Sequence, residues 1–360
     1  MTKTKKWCIF IVTIACLMAI VIPVGCAAPA PKTTPAPAAP PPPQKFEWKF
    51  QTTESQGMVS YDKVFPELVS SVDKMSGGRL KLTMYPNNAL VPQMEIFNAV
   101  KAGTVEMGFG TGAFWMGTIP IGGVTYGLPF GPTTVQEWEN WIFNVGILDI
   151  ARKAYAEQGV YIIQPLMGLP YGSIMSKVPI RNLDDLKGKK IRSIGTTAPI
   201  WQAFGASTTM TNIAEIYTSV ATGVVDGANI GNPSRFAAIK LQEVAKYYSM
   251  PPVQTFACGE FIVNMGKWNA LPDDLKEILN AACHRASLRF RTEFLYQDYA
   301  TLNKWLTQDG VTISTFPDSD VAKMREVAYG IWDTVIAKDA YSKEAVQKTK
   351  DYMKLLGYMK

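Results

Sequence analysis

The sequence predicts an α/β protein with two domains that share one long helix. Strand and helix patterns alternate in residues 46–109 and again in residues 161–264, and this alternation indicates sheets with helices packed on their faces. Residues 272–309 then carry unbroken helical periodicity. A chain of 360 residues is long enough to bury two hydrophobic cores.

The first predicted sheet takes its strands from residues 46–51, 80–85 and 105–109, with helices at 58–75 and 92–102 between them. Strands that alternate with helices predict a parallel sheet. Ligands of such sheets bind at the carboxyl ends of the strands. We therefore expect ligand contacts from the loops that follow the three strands, which are residues 52–57, 87–92 and 110–116.

The second predicted sheet repeats this alternation further along the chain. Short apolar runs predict its strands, and apolar residues at helical spacing predict its helices. The predicted strands are residues 161–163, 189–194, 224–227 and 260–264, and the predicted helices are residues 198–204 and 213–222.

The long helix is predicted over residues 272–309. Asp273 and Asp274 favour a helix start, because carboxylates complement the positive helix N-terminus, and Gly310 favours its end. A helix of this length spans roughly 55 Å. This exceeds one domain of such a chain, so we expect the helix to run along both domains.

Residues 1–25 have the layout of an export signal. Lysines come first, residues 7–24 carry no charge, and Gly25 precedes Cys26. The end of the segment resembles a bacterial lipoprotein cleavage box, although Pro23 stands where such boxes usually carry a leucine-like residue. We expect Cys26 to be lipid-modified at the start of the mature chain; the alternative is an uncleaved anchoring helix. Both place the remainder in the periplasm or outside the cytoplasm, tethered to a membrane.

Residues 26–45 predict an extended tether ahead of the folded part. Residues 27–45 contain eight prolines and no apolar residue larger than proline, so they bury too little surface to fold and favour a polyproline arm. Such an arm reaches roughly 60 Å. The predicted first domain comprises residues 46–169 plus 258–297, and the second comprises residues 170–257 plus 298–360.

Charge and residue patterns exclude several classes of protein. The net charge of +6 falls to +3 once the three lysines of residues 1–25 are set aside, which is too weak to predict nucleic-acid binding. The single histidine, His284, adjoins Cys283, and neighbouring helix positions do not face each other as a nucleophile and its base must. The sequence also carries no zinc-site spacing and no phosphate loop. Cys258 and Cys283 either form a bridge or stay as two buried thiols, and we favour the thiols.

Arg192 is the binding residue that the sequence itself suggests. It lies in the predicted strand 189–194, and Gly195 follows at the start of a loop that leads into a helix. An arginine beside a helix N-terminus offers one anion a bidentate cation and backbone N–H donors. Taken alone, this pattern is also typical of a surface or salt-bridge arginine.

Several separate motifs resemble the solute-binding subunits of tripartite ATP-independent periplasmic (TRAP) transporters. They are SGGRLKLTMYP, LDDLKGKKIRSIG, FGAS and EIYTSVATGVVDGAN, and the similarity runs from about Phe46 to about Gly310. The segments YPNNALVPQMEIFNAVKAGTVEMGFG and LPFG further resemble the branch that binds 2-oxo acids and other monocarboxylates. The resemblance implies the two-domain periplasmic solute-binding fold, in which two α/β domains close over a central ligand cleft and a long helix spans both.

The resemblance also implies roles for individual residues. Arg192 matches the arginine that grips the substrate carboxylate. Asn229 matches a residue after VVDG whose side chain contacts the ligand, and Asn232 is a neighbouring candidate. Phe114 and Trp115 match an aromatic stretch that lines the pocket; the alternative is that they are ordinary core aromatics.

The chain departs from the oxo-acid branch at residues that help to hold a metal ion there. It carries Asn229-Ile230 in place of a Glu-Trp pair, and Tyr171 in place of a glutamine. Loss of a carboxylate ligand removes most of the attraction for a hard cation. We therefore expect no metal, no cofactor and a ligand other than pyruvate, with the Tyr171 hydroxyl available as a donor to the ligand.

These features predict a protein that is not an enzyme but the extracytoplasmic solute-binding subunit of a TRAP transporter. It would capture a small organic carboxylate by hinge closure around Arg192 and deliver it to the membrane subunits. An extracytoplasmic ligand-sensing domain for a signalling receptor is the alternative. Residues 311–360 either pack on the second domain or form a homodimer contact.

Overall fold

The computed structural model describes residues 44–166, 168 and 174–359. The predicted export signal, Cys26 and most of the predicted tether lie outside the described residues, and so does Tyr171. Within the described part of the chain, no helix combines the length and the apolar character needed to cross a membrane. Cys258 and Cys283 are both buried and unbridged, which confirms the favoured pair of thiols.

The described residues form strands and helices in an alternating order. The strands are β1 (Phe46–Thr52), β2 (Leu80–Tyr85), β3 (Met107–Gly110), β4 (Val160–Leu166), β5 (Met175–Ser176), β6 (Lys190–Arg192), β7 (Ser207–Thr209), β8 (Gly227–Ala228), β9 (Tyr247–Met250), β10 (Gly259–Asn264) and β11 (Thr312–Thr315). The helices are α1 (Phe65–Met75), α2 (Ile96–Lys101), α3 (Ile121–Tyr126), α4 (Val135–Glu139), α5 (Ile147–Glu157), α6 (Ala198–Ala203), α7 (Ile216–Ala221), α8 (Pro233–Ala238), α9 (Met265–Ala270), α10 (Asp273–Lys304), α11 (Asp318–Ile331) and α12 (Ala340–Leu355).

The first sheet contains β2, β1, β3, β10 and β4 in that order. β1 pairs in parallel with β2 and β3, which confirms the predicted arrangement of these three strands. β10 runs antiparallel to both β3 and β4, because the chain re-enters the first sheet from the second in the opposite direction. The sheet is therefore mixed rather than purely parallel.

Phenylalanine rings form the core between the first sheet and α1. The Phe65 ring of α1 lies 5.7 Å from the ring of Phe50, 4.8 Å from that of Phe109 and 5.9 Å from that of Phe261, measured between centroids. All four side chains are buried. Edge-on aromatic packing of this kind has preferred geometry as well as buried area, so it orients α1 against the sheet. The parallel pairing of β1 and β3 places their carboxyl ends at one edge.

The second sheet contains β11, β9, β5, β8, β6 and β7 in that order. The predicted strands at residues 161–163 and 260–264 correspond to β4 and β10, so their assignment to the second sheet is wrong: both pair within the first sheet. β8 begins at Gly227, whereas residues 224–227 are predicted to be the strand. The difference arises because Val224 is exposed and the Asp226 carboxylate turns to accept a hydrogen bond from the backbone N–H of Lys190 at 2.8 Å. β7, β9 and β11 are short and partly polar, so hydrophobic periodicity does not reveal them.

The predicted long helix is confirmed. α10 continues into a π-helical turn, Trp305–Asp309, and ends at Gly310, whose φ of +66° favours a residue without a Cβ. The N-terminal half of α10 contributes Leu275 and Leu279 to the core of the first sheet. Trp305 and Leu302 belong to the core of the second sheet. The helix therefore runs along both sheets.

The C-terminal helix α12 packs against α3 and α5, whereas α11 packs against α6. Trp332, just after α11, donates its indole N–H to the carbonyl of Pro129 at 3.1 Å. The indole N–H of Trp141 in turn donates to the Thr349 hydroxyl of α12 at 2.8 Å. The residue boundaries of the two domains and the homodimer contact stay predictions.

Candidate ligand-binding cleft

A cleft of about 710 Å³, including its mouth to solvent, lies between the two sheets. Two of the three loops expected to hold the ligand line the cleft. Residues 52–57 contribute Thr53 and Glu54, and residues 110–116 contribute Gly110, Thr111 and Phe114. Residues 87–92 are not among its lining residues. The opposite wall comes from the ends of β6 and β8 and from α8, while α10 supplies Phe290 and Phe294.

The two walls meet at Gly195, which follows β6. Its φ of +57° is a left-handed conformation that favours glycine. A Cβ at this position would lie 2.8 Å from the Cβ of Ala113, which is closer than packed atoms tolerate, and 3.3 Å from the Tyr126 ring. Ile194 packs with the same two side chains. Gly195 therefore lets the loop after Arg192 approach the wall that the first sheet provides.

Arg192 is buried at the end of β6 and lines the cleft. Its Nη2 and Nε donate to the carbonyl of Thr211 at 2.8 and 3.3 Å, and its Nη1 donates to the carbonyl of Asn229 at 3.2 Å. Backbone carbonyls carry no net charge, so these bonds orient the guanidinium without cancelling its positive charge. A guanidinium oriented in this way matches the planar geometry of a carboxylate.

The structure places Asn229 and Asn232 differently. The Asn229 side-chain oxygen accepts hydrogen bonds from the hydroxyls of Thr197 at 3.0 Å and Ser193 at 3.4 Å, and this fully buried residue is not among the lining residues. Asn232 does line the cleft, and its Nδ2 donates to the Asp298 carboxylate at 2.6 Å. Of the two amides, Asn232 is therefore the one that faces the ligand space.

The structure also places the adjacent residues Phe114 and Trp115 in different environments. Phe114 is half-buried and lines the cleft. Trp115 is buried behind the wall, where its ring stacks on Phe97 with 5.7 Å between centroids. Its indole N–H donates to the Tyr155 hydroxyl at 2.8 Å and to the Glu260 carboxylate at 3.2 Å. Trp115 thus occupies a core position, while Tyr171 lies outside the described residues.

Glu54 and Arg235 are cleft residues that sequence reasoning misses. The Nη2 of Arg235 lies 2.8 Å and 3.0 Å from the two carboxylate oxygens of Glu54, which also accepts a hydrogen bond from the Ser60 hydroxyl. The Arg235 guanidinium lies 5.5 Å from the centre of the Phe294 ring. Glu54 belongs to an expected ligand loop, but no local pattern reveals a partner that lies 181 positions away.

A buried carboxyl group supports the wall of the cleft. Glu260 of β10 accepts hydrogen bonds from Tyr155 at 2.5 Å, from Trp115 at 3.2 Å and from the hydroxyl of Thr125. Burial raises the pKa of Glu260 to about 7, although these three donors act in the opposite direction. The cluster ties β10 to α3 and α5 behind Gly259, which lines the cleft.

The described lining residues offer few ligands for a hard cation. The described lining residues supply one carboxylate, Glu54, and both of its oxygens already contact Arg235. Calcium and sodium sites need several oxygen ligands, and no group of three or more potential acidic, histidine or cysteine ligands occurs among the residues that the structure describes.

The family model of the bacterial extracellular solute-binding proteins, family 7 (DctP), matches residues 50–339. The chain belongs to this family. The predicted TRAP solute-binding subunit is thereby confirmed, and so is the expectation that it is not an enzyme, because the members of this family are solute-binding receptors.

Individual relatives agree with this assignment. The monocarboxylate 2-oxoacid-binding periplasmic protein all3028 of Nostoc is 26% identical over 318 residues, which cover 85% of this chain and 84% of the relative. A TRAP solute-binding protein from Pseudoalteromonas atlantica, solved with sodium and pyruvate, has a TM-score of 0.79 at 24% identity and covers 87% of this chain and 95% of its own. One from Bordetella bronchiseptica, a mixed-occupancy dimer with calcium and picolinate, has a TM-score of 0.79 at 22% identity, with 87% and 93% covered. These likenesses confirm the two-domain fold of this family 7 protein.

Proposed function

We propose that this family 7 protein captures a small organic carboxylate in the cleft between its two sheets. The observation that carries the proposal is Arg192, a buried arginine that lines the cleft and is oriented by the carbonyls of Thr211 and Asn229. Each hydrogen bond between a guanidinium and a carboxylate contributes about 1.5–3 kcal/mol. Two such bonds are enough for micromolar affinity when apolar contacts are added.

The remainder of the cleft favours a compact and partly apolar ligand. Phe114, Ile194 and Ile230 contribute apolar surface near Arg192, and Phe290 adds an aromatic ring from α10. A sugar acid would require many polar partners for its hydroxyl groups. Three relatives bind compact ligands, namely monocarboxylate 2-oxo acids, pyruvate and picolinate. Two other structural neighbours were solved with β-D-galacturonate, so the apolar lining of this cleft, rather than the family, favours the compact ligand. We infer a monocarboxylate with an apolar remainder.

Binding would couple to hinge closure. Arg192 and Asn232 lie on the wall of the second sheet, whereas Phe114 lies on that of the first. A ligand that contacts both walls stabilises the closed arrangement over an open one by its differential affinity. The membrane subunits of a TRAP transporter would then recognise the closed form, and the lipid on Cys26 or an uncleaved anchor would hold the protein near them. A homodimer is compatible with this role.

The test is a calorimetric titration of the purified chain after bound ligand has been removed by reversible unfolding. The panel contains pyruvate, 2-oxopentanoate, lactate, picolinate, succinate and galacturonate. We expect binding of at least one monocarboxylate and an affinity loss of about 100-fold or more in Arg192→Ala. Arg192→Lys should lose about tenfold, because lysine keeps the positive charge but lacks the planar guanidinium that binds a carboxylate through two N–H groups.

Arg181→Ala is the matched control, because the Arg181 side chain is exposed and forms an ion pair with Asp185, four positions along the chain. This variant should bind as the wild type does. Equal affinities of the wild type and Arg192→Ala for every bound carboxylate would contradict the proposal.

A further inference from the structure

We propose that Glu54 sets the charge selectivity of the cleft: its contact with Arg235 makes the cleft a receptor for monocarboxylates and excludes dicarboxylates. This inference rests on the proposed function and adds a specificity-determining residue to it. Glu54 follows β1 of the first sheet, and Arg235 lies in α8, which follows β8 of the second. The contact between them therefore joins the two walls of the cleft.

The geometry indicates a firmly held pair. Both carboxylate oxygens of Glu54 lie within 3.0 Å of the Arg235 Nη2. The Glu54 side chain is only 4% exposed, and that of Arg235 is 19% exposed. The hydroxyl of Ser60, which is fully buried, donates to the same carboxylate. A charge pair so far removed from water is screened little by salt.

The charges in the cleft then match one carboxylate. Among the described lining residues, the ionic side chains are Arg192, Arg235 and Glu54. Their sum is one positive charge, and Arg192 lines the same cleft as Phe114 and Ile230. Asp298 lies behind this surface, where it accepts hydrogen bonds from Asn232 and from the backbone of Ser234. It also interacts electrostatically with Arg235, so it adds to the negative charge around that guanidinium.

A second carboxylate on the ligand meets an obstacle at Glu54. The cation that could receive it is Arg235, and Glu54 already contacts that guanidinium. The ligand carboxylate would have to displace a buried side-chain carboxylate or remain beside it, and like charges repel strongly where water is excluded. Glu54 therefore acts against dicarboxylates while leaving the site at Arg192 unaffected.

The experiment compares two probes of nearly equal shape, 2-oxopentanoate and 2-oxoglutarate, which differ in a terminal methyl or carboxylate group. Each is titrated calorimetrically into the full chain, as the wild type and as Glu54→Gln. We expect the wild type to prefer 2-oxopentanoate by about 100-fold or more, and Glu54→Gln to reduce this ratio at least about tenfold, chiefly by binding 2-oxoglutarate more tightly.

A double variant separates charge from local structure. In Glu54→Gln/Arg235→Gln the cleft again carries one positive charge, so the wild-type preference should return to within about threefold. Arg235→Gln alone leaves the Glu54 charge uncompensated and should weaken 2-oxopentanoate by about tenfold without any gain for 2-oxoglutarate. Asp333→Asn, which breaks an exposed ion pair with Lys350, is the control and should leave the ratio unchanged.

The outcomes distinguish the inference from the function on which it rests. If the wild type binds neither probe nor pyruvate, the proposed function is wrong and the inference fails with it. If the wild type binds 2-oxopentanoate but the ratio in folded Glu54→Gln equals that of the wild type, only the role of Glu54 is wrong. Should Glu54→Gln not fold, a gain of 2-oxoglutarate affinity in Arg235→Gln would overturn the inference.

Discussion

Arg192 and Asn229 exchange two hydrogen bonds through the backbone of Asn229. The Asn229 N–H donates to the Arg192 carbonyl at 2.7 Å, and the Asn229 carbonyl accepts from the Arg192 Nη1 at 3.2 Å. The Asn229 side chain meanwhile faces Ser193 and Thr197. Asn229 thus positions the arginine through backbone groups that every residue except proline possesses, and its side-chain amide stabilises the loop that follows β6.

The two asparagines should respond differently to truncation. Asn229→Ala leaves the buried hydroxyls of Thr197 and Ser193 without this acceptor, so we expect a loss of about 1–3 kcal/mol in the free energy of unfolding. Ligand affinity should stay within about threefold, because the backbone contact with Arg192 remains. Asn232→Ala should lower affinity about tenfold, since Asn232 lines the cleft. Denaturant unfolding and calorimetry measure both effects, and a larger affinity loss in Asn229→Ala would contradict this assignment.

The adjacent aromatic residues provide a matched comparison. Trp115→Phe removes the indole donor to Tyr155 and Glu260, so it should reduce the free energy of unfolding by about 1–3 kcal/mol and leave ligand affinity within about threefold. Phe114→Ala removes apolar surface from the cleft and should weaken binding about tenfold. Calorimetric titration measures the ligand affinity of both variants. Thermal melting verifies that they fold and reports the loss of stability in Trp115→Phe. Weaker binding in Trp115→Phe than in Phe114→Ala would place Trp115 at the ligand instead.

Glu260 should make stability fall as the pH rises. Its pKa is raised by burial from an ordinary value of 4.5 to about 7, so the folded state holds a proton that the unfolded state releases between these two values. The stabilisation is complete below pH 4.5 and is lost as the pH rises through about 7, with a total on the order of 3 kcal/mol. Urea unfolding of the wild type and Glu260→Gln from pH 5 to 8 measures it. A difference between the two proteins that does not change with pH would be inconsistent with a buried proton.

The two buried thiols should be unreactive in the folded protein. Burial raises the pKa of Cys258 to about 12 and that of Cys283 further above its ordinary range. Because the thiolate is the reacting form, alkylation at pH 8 should modify neither residue in native protein and both in concentrated guanidinium chloride. Site-resolved mass spectrometry of the alkylated peptides measures this. Rapid native labelling of Cys258, which lines the cleft, would show that the cleft opens to reagents.

Much of the fold follows from local patterns in the sequence. The alternation in β1 and β2, the helical spacing in α1 and the run that ends at Gly310 all predict elements that the structure contains. Local patterns succeed here because strand and helix periods, helix starts and glycine ends depend on residues within a few positions of one another.

The sequence by itself also determined the family and the arginine that enters the cleft, because both depend on motifs that are contiguous in the chain. Only the tertiary structure decided that β10 runs antiparallel, that Phe114 rather than Trp115 faces the ligand space, and that Glu54 meets Arg235. Each of these depends on how segments far apart in the chain pack together. A residue's type and neighbours do not specify which side of a packed wall its side chain reaches, since that is set by the shapes and charges it meets there.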